Sequence, residues 1–485
     1  MASDVIHVLL ITWVAFEWFL RILALFVVPR NRRPDAAMSW LLWIFLVPEI
    51  GWIAFLIFGF STLPKGRRNA QEALNRTIQH TVHYWRDEIL EIQVQPPEKY
   101  RNSVALSEGL THLPLFAGSA INPIAEYDQV IARIVEDITE AKRYIQVEYY
   151  ILALDAATEL FFAALEEAAQ RGVTVRVLYD AFGSRKFPRK KEMVARLKEA
   201  GIETHAMLPL RFPGKNYTRP DLRNHRKLVV VDGTIGYTGS LNMIQRDYHR
   251  KDDIVYDEMV VRLEGPIVLQ LEAVFINDWL AETGQVLDDH TADFSHQLQE
   301  KGTMMAHIAP SGPGYEYENN RKLFTSLFHA AEKRITIVNP YFVPDQSLMS
   351  ALTSATARGV KVTLVNSEAI DQVMVAHAQR SYYEELLRSG ADIYLYKKPA
   401  LLHSKFAIID DDACFVGSSN MDIRSFELNQ ELTLISYDEE FVASMQQVTD
   451  GYLKKSRKVS RAEWAKRPSR KQLLDNLARL TSSLQ

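Results

Sequence analysis

The sequence predicts an α/β protein of two similar lobes, each a mostly parallel or mixed sheet flanked by helices, related by pseudo-twofold symmetry and preceded by a transmembrane helical hairpin. Three observations predict this. Two apolar runs stand back to back at the start of the chain, a strand–helix–strand–helix–strand pattern then occurs twice, and one long phrase recurs in both copies.

The first apolar run, "VIHVLLITWVAFEWFLRILALFVV", covers residues 5–28, and the second, "AAMSWLLWIFLVPEIGWIAFLIFGF", covers 36–60. Each is long enough to cross a bilayer as one helix, so residues 1–60 read as a membrane anchor of two helices, about 5–28 and 36–60. The first run lacks the basic start and small-residue cleavage site of a removed signal peptide. Glu17 and Arg21 lie four apart on one helical face, where they can pair rather than meet lipid singly. Pro48-Glu49 is the flaw in the second run. Trp13, Trp18, Trp40, Trp43 and Trp52 suit an interfacial belt in part. "PRNRRPD" and "LPKGRR" each carry three basic residues, so charge does not fix the orientation; the cytoplasmic side is expected for the rest of the chain.

With 485 residues, length suggests two or three domains. A formal net charge of −4 gives no global attraction to nucleic acid. Cys414 is the only cysteine, which excludes a disulfide framework and a thiolate zinc site. Residues 61–100 are polar and read as a connector, with a first lobe at 101–300 and a second at 301–485. In the first lobe "EAKRYIQVEYYILALD" (140–155), "RGVTVRVLYD" (171–180) and "KEAGIETHAM" (198–207) read as strands. "AEKRITIVNPYFVPD" (331–345), "RGVKVTLVNS" (358–367) and "LRSGADIYLY" (387–396) repeat them in the second.

The recurring phrase follows in each copy: "RNHRKLVVVDGTIGYTGSLNMI" at 223–244 and "LLHSKFAIIDDDACFVGSSNMD" at 401–422. An offset of 178 relates His225 to His403, Lys227 to Lys405 and Asp232 to Asp410. The same offset relates Gly239, Ser240, Asn242 and Met243 to Gly417, Ser418, Asn420 and Met421. Two such phrases in register over seven positions are not chance. Residues two apart on a strand point the same way, about 6.6 Å apart, so each copy aims an imidazole and an ammonium at one spot. Lysine is a poor metal ligand and no Cys/His cluster accompanies either phrase, so no metal and no cofactor are expected. The pair suits a phosphate: lysine neutralises non-bridging oxygens while histidine serves as nucleophile or acid. Ser240, Asn242, Ser418 and Asn420 are the candidate donors to the same oxygens. Two histidines serve the two ends of an in-line displacement at phosphorus, at a site shared at the junction of the halves.

The doubled His-x-Lys-x4-Asp with trailing Gly-Ser-x-Asn resembles the phospholipase D superfamily. Together with the two apolar segments, "RRPDAAMSWLL", "APSGPGYE", "NPYFVPD" and "SSNMDIRSFELNQE" resemble its bacterial cardiolipin synthases over nearly the whole chain. The resemblance implies two phospholipase D-like lobes and a ping-pong phosphatidyl transfer between two phosphatidylglycerol molecules, yielding cardiolipin and glycerol without a nucleotide. It implies His225 as nucleophile, through a phosphohistidine, and His403 as acid and base. It also implies carboxylates downstream of the motifs that orient the histidines. Glu431 of "LNQE" fits in the second half, and Asp257 or Glu258 in the first, with Glu258 favoured by counting back from Glu264-Gly265-Pro266. Asp232 and Asp410 are expected to hold loop architecture. The bacterial inner membrane is the expected location, with anionic lipids as partners.

Two basic stretches stand outside this scheme. "RKFPRKK" (185–191) has five basic residues in seven, and "KKSRKVSRAEWAKRPSRK" (454–471) precedes "QLLDNLARL", whose leucines fall at helical spacing. The tail reads either as a contact with anionic membrane or as a solvated face. A phosphodiester hydrolase acting on lipid, or less readily on nucleic acid, is the alternative function, because the same site can use water as acceptor.

Overall fold

Residues 2–30, 32–59, 93–209, 219–249, 253–287, 297–315 and 318–480 are described in a computed structural model. The first apolar run forms helix α1 (Ala2–Val27), long and apolar enough to cross a membrane, with its side chains largely exposed. Glu17 and Arg21 pair at 2.9 Å, so neither charge stands alone on it. The second run departs from expectation. Pro48, which cannot donate to the preceding turn, splits it into α2 (Pro34–Leu46) and α3 (Pro48–Phe58). At 13 and 11 residues these reach about 20 and 17 Å, short of a hydrocarbon core of about 30 Å. They fold back on one another so closely that a Cβ on Gly51 would lie 2.7 Å from the Ile44 backbone. Trp52 donates to the Leu20 carbonyl and Arg21 to that of Phe45, tying all three helices together. The intervening Arg33 pairs with Glu427 and lies 3.8 Å from Glu318 and Asp345, fastening these helices to the second half of the chain.

Beyond these helices, among the described residues, sixteen strands build one mixed sheet and the other four form two separate two-stranded pairs. The first half supplies β1 (Phe116–Ile124), β2 (Tyr144–Tyr149), β3 (Thr174–Asp180), β4 (Glu203–Met207), β5 (Arg223–Asn224), β6 (Lys227–Val231), β7 (Ile235–Gly239), β8 (Val255–Asp257) and β9 (Val260–Glu264). The second supplies β10 (Met304–Ser311), β11 (Arg334–Val338), β12 (Phe342–Val343), β13 (Lys361–Ser367), β14 (Asp392–Tyr396), β15 (Ala400–Leu402), β16 (Phe406–Ile409), β17 (Ala413–Gly417), β18 (Met421–Asp422), β19 (Asn429–Ser436) and β20 (Ser456–Val459). The six strands expected from the repeated segments are β2, β3, β4, β11, β13 and β14. The halves join at the antiparallel pair β1/β10. Outward from it the order is β9, β7, β6, β2, β3, β4 on one side and β19, β17, β16, β11, β13, β14 on the other. The last three of these strands in each half run parallel and the inner ones antiparallel, and β20 adds antiparallel to β14 at the edge.

Burial explains why the motif strands read as unbroken apolar runs. All five residues of Lys227–Val231 are buried, as are the four of Phe406–Ile409, because helices cover both faces of the sheet. One hydrophobic cluster lies wholly in the first half and one chiefly in the second. A third runs across the junction, from Leu228, Val261 and Trp279 to Cys414, Leu434 and Phe441, so the halves share a core. The helix that opens at residue 101 packs against the second half. Helix Arg101–Thr111 follows Tyr100 into the second half's cluster, and Ser103 meets Ser326 at 2.8 Å. Residues 61–92 of the expected connector lie outside the described residues. The tail helix Ser469–Leu480 docks on helix Val373–Ser389 through Asp475 and Ala478, with Asp475 2.7 Å from His377, and leaves Leu473, Leu474, Leu477 and Leu480 exposed.

Asp232 and Asp410, grouped with the motif by spacing, stand at the far end of their strands from the histidines. Both adopt left-handed backbone, with φ of 53° and 51°. The Asp232 carboxylate accepts from the N–H groups of Lys142, Arg143 and Tyr144 at 2.8, 2.8 and 3.0 Å. Asp410 accepts from those of Glu332, Lys333 and Arg334 at 2.9, 2.7 and 2.8 Å. Each aspartate pins the start of the neighbouring strand to the motif hairpin. Asp410→Ala leaves three N–H groups without partners and places a β-carbon residue unaided in the left-handed region. It is expected to cost about 2 kcal/mol or more, read as a lowered thermal midpoint, with Asp410→Asn milder because asparagine tolerates that backbone.

Candidate active site

Two very short strand pairings carry the histidines across the junction. β5 of the first half adds in parallel to β19 of the second, and β15 of the second adds in parallel to β8 of the first. Each histidine is the residue immediately after its short strand. The His225 N–H donates to the Gln430 carbonyl at 2.8 Å and the His403 N–H to that of Asp257 at 2.7 Å. Each histidine is thus held by the backbone of the other half, one residue before a glutamate.

The side chains follow the same crossing. His225 Nδ1 lies 3.0 and 3.1 Å from the two oxygens of Glu431. His403 Nδ1 lies 2.8 and 3.0 Å from those of Glu258. The two glutamates named from the sequence are both at the histidines, but each serves the histidine of the opposite half. Glu258, not Asp257, holds the ring; the Asp257 carboxylate turns away to Tyr396 at 2.5 Å and to Arg246. With Nδ1–H given to a carboxylate, Nε2 faces the pocket, with a lone pair when the ring is neutral and a proton when it is charged. Both rings are buried, His225 8% and His403 5% exposed. Burial pushes His225 down to about 4, against the pull of Glu431. It also lowers His403, against Glu258. Burial alone raises both glutamates, but the imidazoles and lysines beside them outweigh it and hold both below the usual carboxylate range.

Lys227 and Lys405 complete the group. Each folds back on the carbonyl of its own histidine, Nζ lying 2.5 Å from His225 O and 2.6 Å from His403 O. Burial brings Lys227 down to about 7 and Lys405 to about 8, while Glu258 and Glu431 both pull the two lysines upward. Each lysine therefore feels the carboxylates of both halves, and Lys405 acts on His225 as well. The two motifs converge on one buried site.

The serines were expected on phosphate and are placed otherwise. The Ser418 hydroxyl donates to Glu431 Oε2 at 2.5 Å and accepts from the Leu432 N–H at 2.9 Å. Ser240 accepts from the Met259 N–H at 2.9 Å and helps hold Glu258. The glycine before each serine makes this approach possible. A Cβ on Gly417 would sit 2.1 Å from Leu432 O, and one on Gly239 would sit 2.4 Å from Met259 O. Asn242 accepts from the Ile151 N–H at 3.3 Å and reaches Tyr248 at 3.4 Å. Asn420 keeps a buried Oδ1 with no hydrogen-bond partner among the described residues.

Several residues around the histidines carry no mark in a strand reading. Tyr150 packs edge-on to His225 at 5.0 Å, and Tyr256 and Tyr341 pack edge-on to His403 at 5.4 and 6.2 Å. They stand inside "VEYYILALD", "IVYDEM" and "NPYFVPD", where aromatic residues signal packing first. Beneath His225 lies a buried polar group: Arg226 pairs with Asp278, and Asn224 donates to Glu148 at 2.8 Å. The corresponding place beneath His403 holds a hydrogen bond of 3.0 Å between Ser404 and Tyr452. Among the described residues no group of histidine, cysteine and carboxylate side chains is placed to hold a metal ion.

Comparison with known proteins agrees with this construction. A family profile described as "Cardiolipin synthase, PLD-like domain" matches residues 134–279 and 324–452. The chain is 32% identical over 476 residues to Cardiolipin synthase A of Yersinia pseudotuberculosis serotype IB (strain PB1/+), covering 94% of this chain and 95% of that one. The same identity and coverage hold for Cardiolipin synthase A of Yersinia pestis. The crystal structure of phosphatidylserine synthase from Haemophilus influenzae Rd KW20 superposes with a TM-score of 0.60 at 16% identity, over 78% of this chain and 98% of that one, a likeness of fold. By matched residues in both halves and identity along nearly its full length, the chain belongs to the cardiolipin synthase family of PLD-like domain proteins.

Proposed function

We propose that this protein is a phosphatidyltransferase that joins two phosphatidylglycerol molecules into cardiolipin and releases glycerol. The observation that carries the reading is the pair of crossed His–Glu couples around two buried lysines. In the first half-reaction His225 Nε2 attacks phosphorus, forming a P–N bond as the P–O bond to the glycerol headgroup breaks. His403 gives its Nε2 proton to the departing oxygen. In the second, His403 takes the proton from a hydroxyl of the incoming phosphatidylglycerol, the new P–O bond forms and the P–N bond breaks. Lys227 and Lys405 leave their backbone carbonyls to neutralise the non-bridging oxygens, joined by Asn420. Glu431 and Glu258 fix the tautomers and stabilise each imidazolium as it forms.

The remaining features fit a membrane enzyme. The matching strand orders outward from β1/β10 support a pseudo-twofold relation between two lobes, with the site on its axis. α1 is read as the bilayer-crossing helix, and α2 and α3 as a helical V lodged beside it, in the bacterial inner membrane. The lobes are assigned to the cytoplasmic side. The exposed leucines of the tail helix, next to Arg470 and Lys471, suit contact with anionic lipid.

Four outcomes test this reading. Given phosphatidylglycerol alone, the purified full chain yields cardiolipin and glycerol on lipid chromatography; phosphatidic acid in place of cardiolipin marks a hydrolase instead. His225→Ala abolishes turnover, whereas His403→Ala lowers it roughly 10²–10⁴-fold and still releases a burst of p-nitrophenol from phosphatidyl-p-nitrophenol, a leaving group that needs no proton. A burst from His225→Ala reverses the two roles. The pH dependence of kcat/KM is bell-shaped. It rises through about 4 as His225 becomes neutral and falls on the alkaline side as His403, then Lys227 near 7 and Lys405 near 8, lose their protons. Because the Glu431 charge raises His225, Glu431→Gln moves the acid limb to lower pH and slows turnover by about 10²-fold.

A further inference from the structure

The two histidines differ in what surrounds them, and the difference is a carboxylate. Asp371 stands in the loop between β13 and helix Val373–Ser389, half-buried at the His403 side of the site. The Tyr341 hydroxyl lies 2.7 and 2.8 Å from its two oxygens, and the Tyr256 hydroxyl donates to Oδ2 at 3.0 Å. Both tyrosine rings are the ones packed edge-on to His403, and Tyr248 stacks on Tyr256 at 4.5 Å. Asp371 is near enough for its charge to act on His403 and Lys405. At the His225 side the corresponding end of β3 is built differently. Asp180 there is turned inward onto the N–H groups of Phe182, Gly183 and Asn224, and cannot face a ligand.

An ionised carboxylate offers about four acceptor positions, of which the two tyrosine hydroxyls occupy two. The remaining pair can accept two hydroxyl protons from one small molecule, and each tyrosine oxygen can accept another. A headgroup with two adjacent hydroxyls matches that set. A headgroup ammonium matches it less well, because Asp371 already offsets the neighbouring Lys405 cation. We infer that Asp371, with Tyr341 and Tyr256, forms a polyol subsite that binds the vicinal diol of the alcohol entering or leaving at His403. This rests on the roles proposed above for the two histidines. The same subsite then serves both half-reactions: it holds glycerol as its oxygen takes the His403 proton, and the glycerol headgroup of the acceptor as its hydroxyl gives one back.

Competition between donors in one mixed micelle tests the subsite with the full-length protein. Phosphatidylglycerol, phosphatidylpropanol and phosphatidylethanolamine with identical acyl chains are supplied at equal mole fraction, and the released glycerol, propanol and ethanolamine are quantified. Glycerol release is expected to exceed propanol release about tenfold or more, with ethanolamine no better than propanol, and Asp371→Asn is expected to lower the glycerol-to-propanol ratio by about tenfold. Tyr341→Phe, which keeps the carboxylate and removes one partner, lowers the ratio less. A wild-type ratio near one, a ratio unmoved by Asp371→Asn, equal loss of both releases, or ethanolamine in the lead overturns the subsite. The lipid products are read separately: phosphatidic acid in place of cardiolipin sinks the transferase reading, while the headgroup ratio still decides the subsite.

Discussion

The structure depends on a reciprocal handover between its halves: each histidine leaves its own strand and is held by the other half's backbone and carboxylate. β5 and β15 are two and three residues long, too short to stand without the strands they join. Their backbone bonds place His225 and His403 where Glu431 and Glu258 meet Nδ1. A buried carboxylate facing a buried imidazole and a lysine is costly to desolvate and tolerable only when every partner is present. The shared core and the β1/β10 pair supply the rigid frame that keeps those partners together.

Within that near-symmetric frame the two histidines receive unlike surroundings. His225 sits over the Arg226–Asp278 pair and the Glu148–Asn224 hydrogen bond, and under one tyrosine edge. His403 sits over the Ser404–Tyr452 bond and beneath two tyrosines that share Asp371. A reaction with one covalent step and one proton-transfer step has use for such a division. Opposite demands on two identical rings are met by changing what lies around them rather than the rings themselves.

How much of this was legible in the sequence depends on range. The duplicated phrase with its offset of 178 exposed both histidine–lysine pairs and the strands carrying them, because strand period and residue identity are local properties. Glu258 and Glu431 were found through family resemblance, but their crossing was not visible: it arises from strand pairings of two and three residues, with no periodicity to read. A Gly-Ser turn looks open to solvent in sequence, and only with the adjoining strand in place is Ser418 closed onto Glu431. The break at Pro48 was legible in principle, since proline inside an apolar run argues for two helices rather than one. Asp371 carries no local signal, because only the fold brings it to Tyr256, more than a hundred residues away.

The crossing also bears on how such a chain can be divided or assembled. A lobe isolated from its neighbour would own an imidazole without the carboxylate that steers it, and a carboxylate with no ring to steer. Competence belongs to the couple, so a solitary ancestor carrying one phrase would have had to embrace a twin before either could react. Held in one polypeptide, the two places need not match, and the two rings do stand in unequal surroundings.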